Sequence, residues 1–255
     1  MLFRCVALVS LSVLLAATAV RAEEPLVSNR PGFSNVWEVV QPGRVEVNAG
    51  LQFDRIEEDE AFSFGQVLVR AGITERLEAR IGLNSYVDLQ SPSGDSSGLQ
   101  DPTLGLKWQL LESGGPGWGC PAAALILQTT VPAGDEDLGT EDPQPGALLV
   151  LSWDPSRRVH LDTNHGFTYV DAGSERGVEL FASYGAAISL VGKLAGYLEL
   201  ATFVGVDGPV EDRSYLFGAF TYLASPRMQL DIGVGRGLNS ADPEHFVSTG
   251  VAYRW

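Results

Sequence analysis

The chain is poor in cysteine, in basic residues and, beyond its first two dozen positions, in long apolar runs. Each scarcity excludes something. Of the two cysteines, Cys5 falls in an N-terminal leader and Cys120 is then alone, so no internal disulfide can form. Cys120 reads as a small apolar residue beside a turn. Only 17 Lys and Arg stand against 32 Asp and Glu, which argues against nucleic-acid partners, since these require basic patches. After the leader no stretch reaches the roughly 20 apolar residues of a spanning helix. Capped helical periodicity is missing over any useful length. So are low-complexity linkers and the composition shifts that would mark a second domain.

The leader itself covers residues 1–22. Arg4 supplies positive charge, Val6 to Ala17 the apolar stretch and Val20-Arg21-Ala22 a small-residue cleavage site, the pattern of a secretory signal peptide. Its removal takes Arg4 and Arg21 with it, so a net charge of −15 becomes −17. Residues 23–42 show no clear period; Asn29-Arg30-Pro31-Gly32-Phe33 reads as a turn. This segment lies either in the periplasm or inside the domain that residues 43–255 build, as a plug in its lumen.

What the chain does have is alternation. In its last ten residues Val247, Thr249, Val251, Tyr253 and Trp255 share one face of an extended strand, and Ser248, Gly250, Ala252 and Arg254 the other. Apolar residues at every second position ending on a terminal aromatic resemble the C-terminal signal of bacterial outer-membrane barrels, with Val251, Tyr253 and Trp255 as its anchors. From residue 43 to residue 255 the same unit repeats: about ten alternating residues, then a connection. The reading is all-β, an antiparallel transmembrane β-barrel of about 12 strands. Glycine and proline, 29 and 14 residues, suit many short strands and turns. In the third strand, residues 77–89, Leu77, Ala79, Ile81, Leu83, Val87 and Leu89 oppose Glu78, Arg80, Asn84, Tyr86 and Asp88.

The connections are of two kinds. Those after odd strands, including residues 91–101 and 133–145, are longer; together they hold 18 acidic residues against two basic ones, Arg176 and Arg213. Those after even strands are short or glycine-rich and hold three acidic and five basic residues. A barrel with periplasmic turns and longer outer loops has two such ends, while a soluble sandwich has no reason to sort its charge. Trp108, Trp153, Tyr253 and Trp255 fall near the periplasmic interface and Phe62, Phe64, Tyr169 and Phe246 near the outer one, as aromatic girdles do.

These phases turn Arg44, Glu46, Arg70, Glu78, Arg80, Lys107, His160, Asp162, Glu179, Glu199 and Asp231 toward the lumen. Mixed charges there either cross-link a filled interior or line a narrow wet path. Inward glycines such as Gly82, Gly105, Gly166, Gly233, Gly235 and Gly250 make room or ease backbone bending. His160, Asp162 and Asn164 share one face about 7 Å apart, but one strand cannot close a metal site. The acidic run Asp135-Glu136-Asp137 with Glu141-Asp142 lacks EF-hand spacing. No metal or cofactor is expected. No G-x-S-x-G is present, and none of His160, His165 and His245 has a serine two residues on, as the outer-membrane phospholipases have. No enzyme is expected.

Several stretches together resemble the outer-membrane transporter family named for the phenol meta-degradation pathway. They are Asn29-Arg30-Pro31-Gly32-Phe33, Pro42-Gly43-Arg44-Val45, Gly72-Ile73-Thr74-Glu75-Arg76-Leu77-Glu78, Asp101-Pro102-Thr103-Leu104-Gly105-Leu106-Lys107 and Val131-Pro132-Ala133-Gly134. The resemblance covers most of the first half and implies an outer-membrane barrel that transports a solute; it brings no catalytic residues. The function expected is a channel for a small solute, aromatic or amphipathic. The alternative is a structural surface barrel with a side-chain-filled lumen. The expected partners are outer-membrane lipid and lipopolysaccharide, the barrel assembly machinery and the solute.

Overall fold

The computed structural model describes residues 24–136, 138–172, 175–207, 210–239 and 243–255. The signal peptide expected at residues 1–22 and Asp137 of the acidic run lie outside the described residues. The strands are β1 (Val45–Ile56), β2 (Asp59–Thr74), β3 (Leu77–Gln90), β4 (Ser96–Leu99), β5 (Thr103–Leu111), β6 (Ala122–Thr130), β7 (Gln144–Ser156), β8 (Val159–Ala172), β9 (Glu175–Val191), β10 (Leu194–Asp207), β11 (Arg213–Ser225), β12 (Met228–Gly237) and β13 (His245–Arg254). Sequential neighbours pair antiparallel, except that β4 and β5 both pair with β3, and β1 pairs with β13 from Glu46↔Arg254 to Arg55↔His245, which closes the ring.

Thirteen strands fill twelve places. β3 pairs with β5 from Leu77↔Trp108 to Gly82↔Thr103 and then with β4 from Tyr86↔Leu99 to Leu89↔Ser96, in one unbroken register. The Gln100 amide bridges the gap by donating to the Ser85 carbonyl at 2.9 Å. β4 is therefore the outer extension of β5, and 4 residues of the expected loop at residues 91–101 are strand. Its Ser-Ser-Gly-Leu sequence carries no alternation that would announce it. The phase of β3 also differs from expectation past Asn84. Asn84 has φ +37°, as does Gln66 on β2, where the β2–β3 register shifts. Beyond this bulge Ser85 and Val87 are buried while Tyr86 is exposed, because one residue out of line reverses every later side chain.

The barrel is inside out relative to a soluble fold. Leu51, Ile81, Leu104, Leu106, Leu127, Leu149, Leu198, Ile232 and Val247 are exposed, whereas Glu46, Arg70, Glu78, Lys107, Asn164, Ser183 and Glu199 are buried. An apolar exterior around a polar interior, closed so that no strand edge meets lipid, is the arrangement of a membrane-spanning barrel. No helix among the described residues is long and apolar enough to cross a membrane. Leu26, Trp255 and the tight turns at Glu75-Arg76, Arg157-Arg158, Gly192-Lys193 and Pro226-Arg227 lie at one end, the periplasmic one by the rule for such barrels.

At the other end Asp101 organises the loops. Its carboxylate accepts from the Ala133 and Gly134 amides at 2.8 and 2.6 Å and from the Thr140 amide and hydroxyl, both at 2.7 Å. Burial pushes this carboxyl up; the hydrogen bonds, led by that of Gly134, outweigh it and hold the group below the ordinary carboxylate range. The stabilisation is thus complete above the unfolded value of about 3.9 and is lost as pH falls through the lower folded value. Asp101→Ala should speed hydrogen exchange of the Ala133, Gly134 and Thr140 amides by about tenfold or more, since each charge-assisted bond contributes roughly 1.5–3 kcal/mol. Unchanged exchange at neutral pH would refute this role.

Candidate functional site

The segment before β1 does not stay in the periplasm. It starts at the periplasmic end, where the Leu26 amide donates to the Pro226 carbonyl at 2.9 Å, and rises inside the barrel. Ser28 donates to Asn48 at 2.5 Å. Arg30 reaches β12, donating through Nε and Nη2 to the two oxygens of Asp231 at 3.0 and 2.9 Å. The chain turns at residues 31–34. There the Phe33 amide and the Ser34 hydroxyl donate to Glu199 at 2.8 and 2.5 Å. It then descends: the Asn35 amide donates to Asn164 at 2.8 Å, Arg80 donates to Asn35 at 2.5 Å, and the Val40 amide donates to Glu78 at 2.9 Å. Residues 28–40 are a loop inserted into the lumen. Apart from Phe33 and Trp37 its grip on the wall is polar.

The wall offers three zones to this insert. At the periplasmic end Arg70 stands between Glu46 and Glu78, at 2.8 and 2.9 Å, and Lys107 lies 3.7 Å from Glu78. All four side chains are almost completely buried. Arg70 and Lys107 also donate to the Glu38 carbonyl at 2.8 and 2.6 Å, so cationic side chains of β2 and β5 hold the descending arm. The middle zone holds Asn164, Ser183, Glu199 and Asp231. The outer zone is aromatic. Phe33 stacks on Tyr215 with centroids 5.1 Å apart, and Phe217 stacks on Phe246 at 5.6 Å. Phe246, expected in the outer girdle, is instead 3% exposed and faces inward; it shares the phase of Ser248 and Ala252 in β13.

Two inward glycines serve the insert directly. Gly50 and Gly250 face each other across the β1–β13 seam. A Cβ on Gly250 would lie 2.1 Å from Arg30 Nε, and one on Gly50 2.2 Å from Arg30 Nη1. The guanidinium lies flat on backbone that only glycine leaves bare. Gly233 and Gly235 make similar room for the rings of Phe217 and Phe246. Gly250→Leu should evict Arg30 from this seat. The loosened insert should then be cleaved after Phe33 by chymotrypsin several-fold faster than in the parent chain. Resistance equal to the parent chain would count against the seat.

Of the residues the sequence turned inward, Glu46, Arg70, Glu78, Arg80, Lys107, Asp162, Glu199 and Asp231 are buried. Glu179 is partly buried and bonded to Arg213. His160 is partly buried, its Nδ1 2.8 Å from Asp154. Arg44 precedes β1 and is partly exposed. Their partners from the insert, Arg30, Ser34, Asn35 and the Glu38 carbonyl, were not foreseen. The only signal for them was the motif Asn29-Arg30-Pro31-Gly32-Phe33, which a turn alone explains. Tyr253 packs on Trp255 with centroids 4.7 Å apart, and Trp255 is exposed.

Two cavities flank the insert. The outer one, about 420 Å³, has Gln66, Arg80, Gln100 and Phe217 among its lining; the inner one, about 440 Å³, has Glu38, Asp154, His160 and Tyr197. Residues 29–32 together with Ser34 and Asn35 line both. They are the partition.

A sequence model of the family described as "Putative MetA-pathway of phenol degradation" matches residues 28–255. The chain belongs to this family. The match begins at Ser28, the first residue of the inserted loop, so the MetA-pathway family pattern takes in the insert as well as the barrel. No curated protein matches the sequence. Among solved structures, the COG4313 outer membrane channel from Pseudomonas putida F1 superposes with a TM-score of 0.67 at 14% identity, over 89% of this chain and 99% of that one. The NanC porin gives 0.57 at 9% identity over 82% and 98%, and the KdgM porin 0.51 at 8% over 82% and 98%. At such identities the likeness establishes an outer-membrane barrel fold for this MetA-pathway family member.

Proposed function

We propose that this chain is a channel of the bacterial outer membrane for a small solute, aromatic or amphipathic, with residues 28–40 as its internal barrier. One observation carries the reading: the two cavities share residues 29–32, Ser34 and Asn35 as a common wall, so one loop stands between the two sides. The family description points to phenol degradation, and the similar structures are a channel and porins. Conductance in a planar bilayer and solute uptake by proteoliposomes test it. Small currents from the parent chain and much larger ones after removal of residues 24–41 are expected; silence from both would refute it.

The competing reading is a structural barrel with a filled lumen. The buried ion pairs of Arg70 and Arg30 favour it, and it predicts no current in either experiment. A catalytic role has less support. A hydroxyl–imidazole pair exists, Thr163 Oγ1 to His165 Nε2 at 2.6 Å, but both residues lie on the lipid-facing wall, and no carboxylate is bonded to His165 among the described residues.

The partners derive from the surface. The apolar band meets outer-membrane lipid, and the acidic outer loops meet lipopolysaccharide with its bridging cations. Val251 and Tyr253 of β13, with Trp255 just past its end, form the outward row that the assembly machinery reads. Trp255→Ala with Tyr253→Ala should cut the amount of assembled, heat-modifiable barrel in outer membranes several-fold; undiminished assembly would dismiss that role.

A further inference from the structure

The inner cavity has an acidic lining whose hydrogen-bonding capacity is only partly used. Glu38, Asp154, His160 and Asp162 share its wall with Tyr197 and Ala187. Asp162 is 9% exposed, and its Oδ1 has no hydrogen-bond partner among the described residues; neither has Glu38 Oε2. The cation that lines the same cavity, Arg30, is committed to Asp231. Two buried carboxyl side chains of residues that line one cavity therefore each keep one oxygen without a hydrogen bond among the described residues, a costly state that a ligand with N–H donors relieves.

We infer that the inner cavity is a binding site for a small organic ammonium ion. This names the solute class of the channel proposed above and rests on that reading. A metal ion suits the site less well, because no three His, Cys, Asp or Glu side chains among the described residues are grouped to hold one. An ammonium head carries three donors that can serve acceptors spread around a cavity, and its stem can lie along Tyr197. About 440 Å³ accommodates a single ring with its head group. The outer loops, with 18 acidic residues against two basic, concentrate cations at the mouth. The outer cavity, whose charged lining residues are Arg30 and Arg80, offers a cation no partner.

The test is calorimetry on the mature full chain in detergent micelles near pH 7, with benzylamine as the probe and benzyl alcohol and benzoate as its neutral and anionic counterparts. Benzylammonium should bind about tenfold more tightly than benzyl alcohol, a difference of roughly 1.4 kcal/mol, and benzoate more weakly than either. Asp162→Asn and Asp154→Asn should each weaken benzylammonium severalfold and leave benzyl alcohol unchanged. Asp154 is 37% exposed, so its replacement keeps the test open if Asp162→Asn does not fold. Equal affinities for the three probes, or benzylammonium binding indifferent to both substitutions, would overturn the site. Micellar binding needs no passage. Selective binding without flux in liposomes therefore overturns the channel alone, and flux without selective binding overturns the site alone.

Discussion

Replacing Arg70 with methionine is expected to destabilise the folded barrel by about 3–5 kcal/mol. The side chain is 1% exposed and its two carboxylate partners are 2% and 0% exposed, so neither Glu46 nor Glu78 can turn to water when the guanidinium is gone. Arg70 also donates to the carbonyls of Val27 and Glu38 at 3.3 and 2.8 Å. The change therefore strips both arms of the insert of a donor. Arg70→Lys should recover little, since one ammonium cannot reproduce a planar fork with donors in several directions. Adding Glu46→Gln to Arg70→Met should recover part of the loss, because Glu46 has lost the cation 2.8 Å away while Glu78 keeps Lys107 and Arg80 at 3.7 and 3.9 Å. Urea unfolding in lipid vesicles reads all four proteins. An Arg70→Met midpoint equal to the parent's would show that the periplasmic cluster does not hold the barrel together.

Arg30→Ala is expected to raise single-channel conductance, and Asp231→Asn should do the same. Bonds between charged groups contribute roughly 1.5–3 kcal/mol each, so loss of the Arg30–Asp231 pair should populate the undocked insert about tenfold or more. Glu199, which holds Phe33 and Ser34 at the turn, limits the effect to less than that of removing residues 24–41 outright. The two substitutions should not add, since each removes the same contact. Conductance unchanged in both, with a larger current after removal of the segment, would place the restraint elsewhere on the loop.

The wall of this barrel is legible in the sequence and its filling is not, for a physical reason. Lipid outside and polar groups inside impose a two-residue period on every strand. That period marks β5 at Thr103–Leu111 and places Glu46, Arg70, Glu78, Lys107, Asp162, Glu199 and Asp231 on the buried face. It fails where the backbone leaves the pleat: at Asn84 a positive φ reverses Tyr86 and Val87. It also says nothing of β4, whose Ser96, Ser97 and Gly98 lack contrast. Residues 28–40 obey no period because they are neither strand nor helix. Their structure is set one residue at a time by Asp231, Glu199, Asn164 and Glu78, which lie far away along the chain. Phe246 was misplaced by its chemistry: an aromatic near an interface suggested lipid, yet its phase, shared with Ser248, points inward.

Arg30 lies across Gly50 of β1 and Gly250 of β13 and is gripped by Asp231 of β12. The seat thus joins a residue of the N-terminal segment to two strands, β12 and β13, the nearer contact lying 201 positions further along the chain. Until β12 and β13 have reached β1, neither the glycine floor nor the anion exists in one place. Arg30 cannot be seated early and the cylinder sealed around it afterwards; the two are completed at the same stitch. A half-built barrel of this design can grip the arms of its stopper through Arg70, Asn164 and Glu199, but it has nothing with which to hold Arg30.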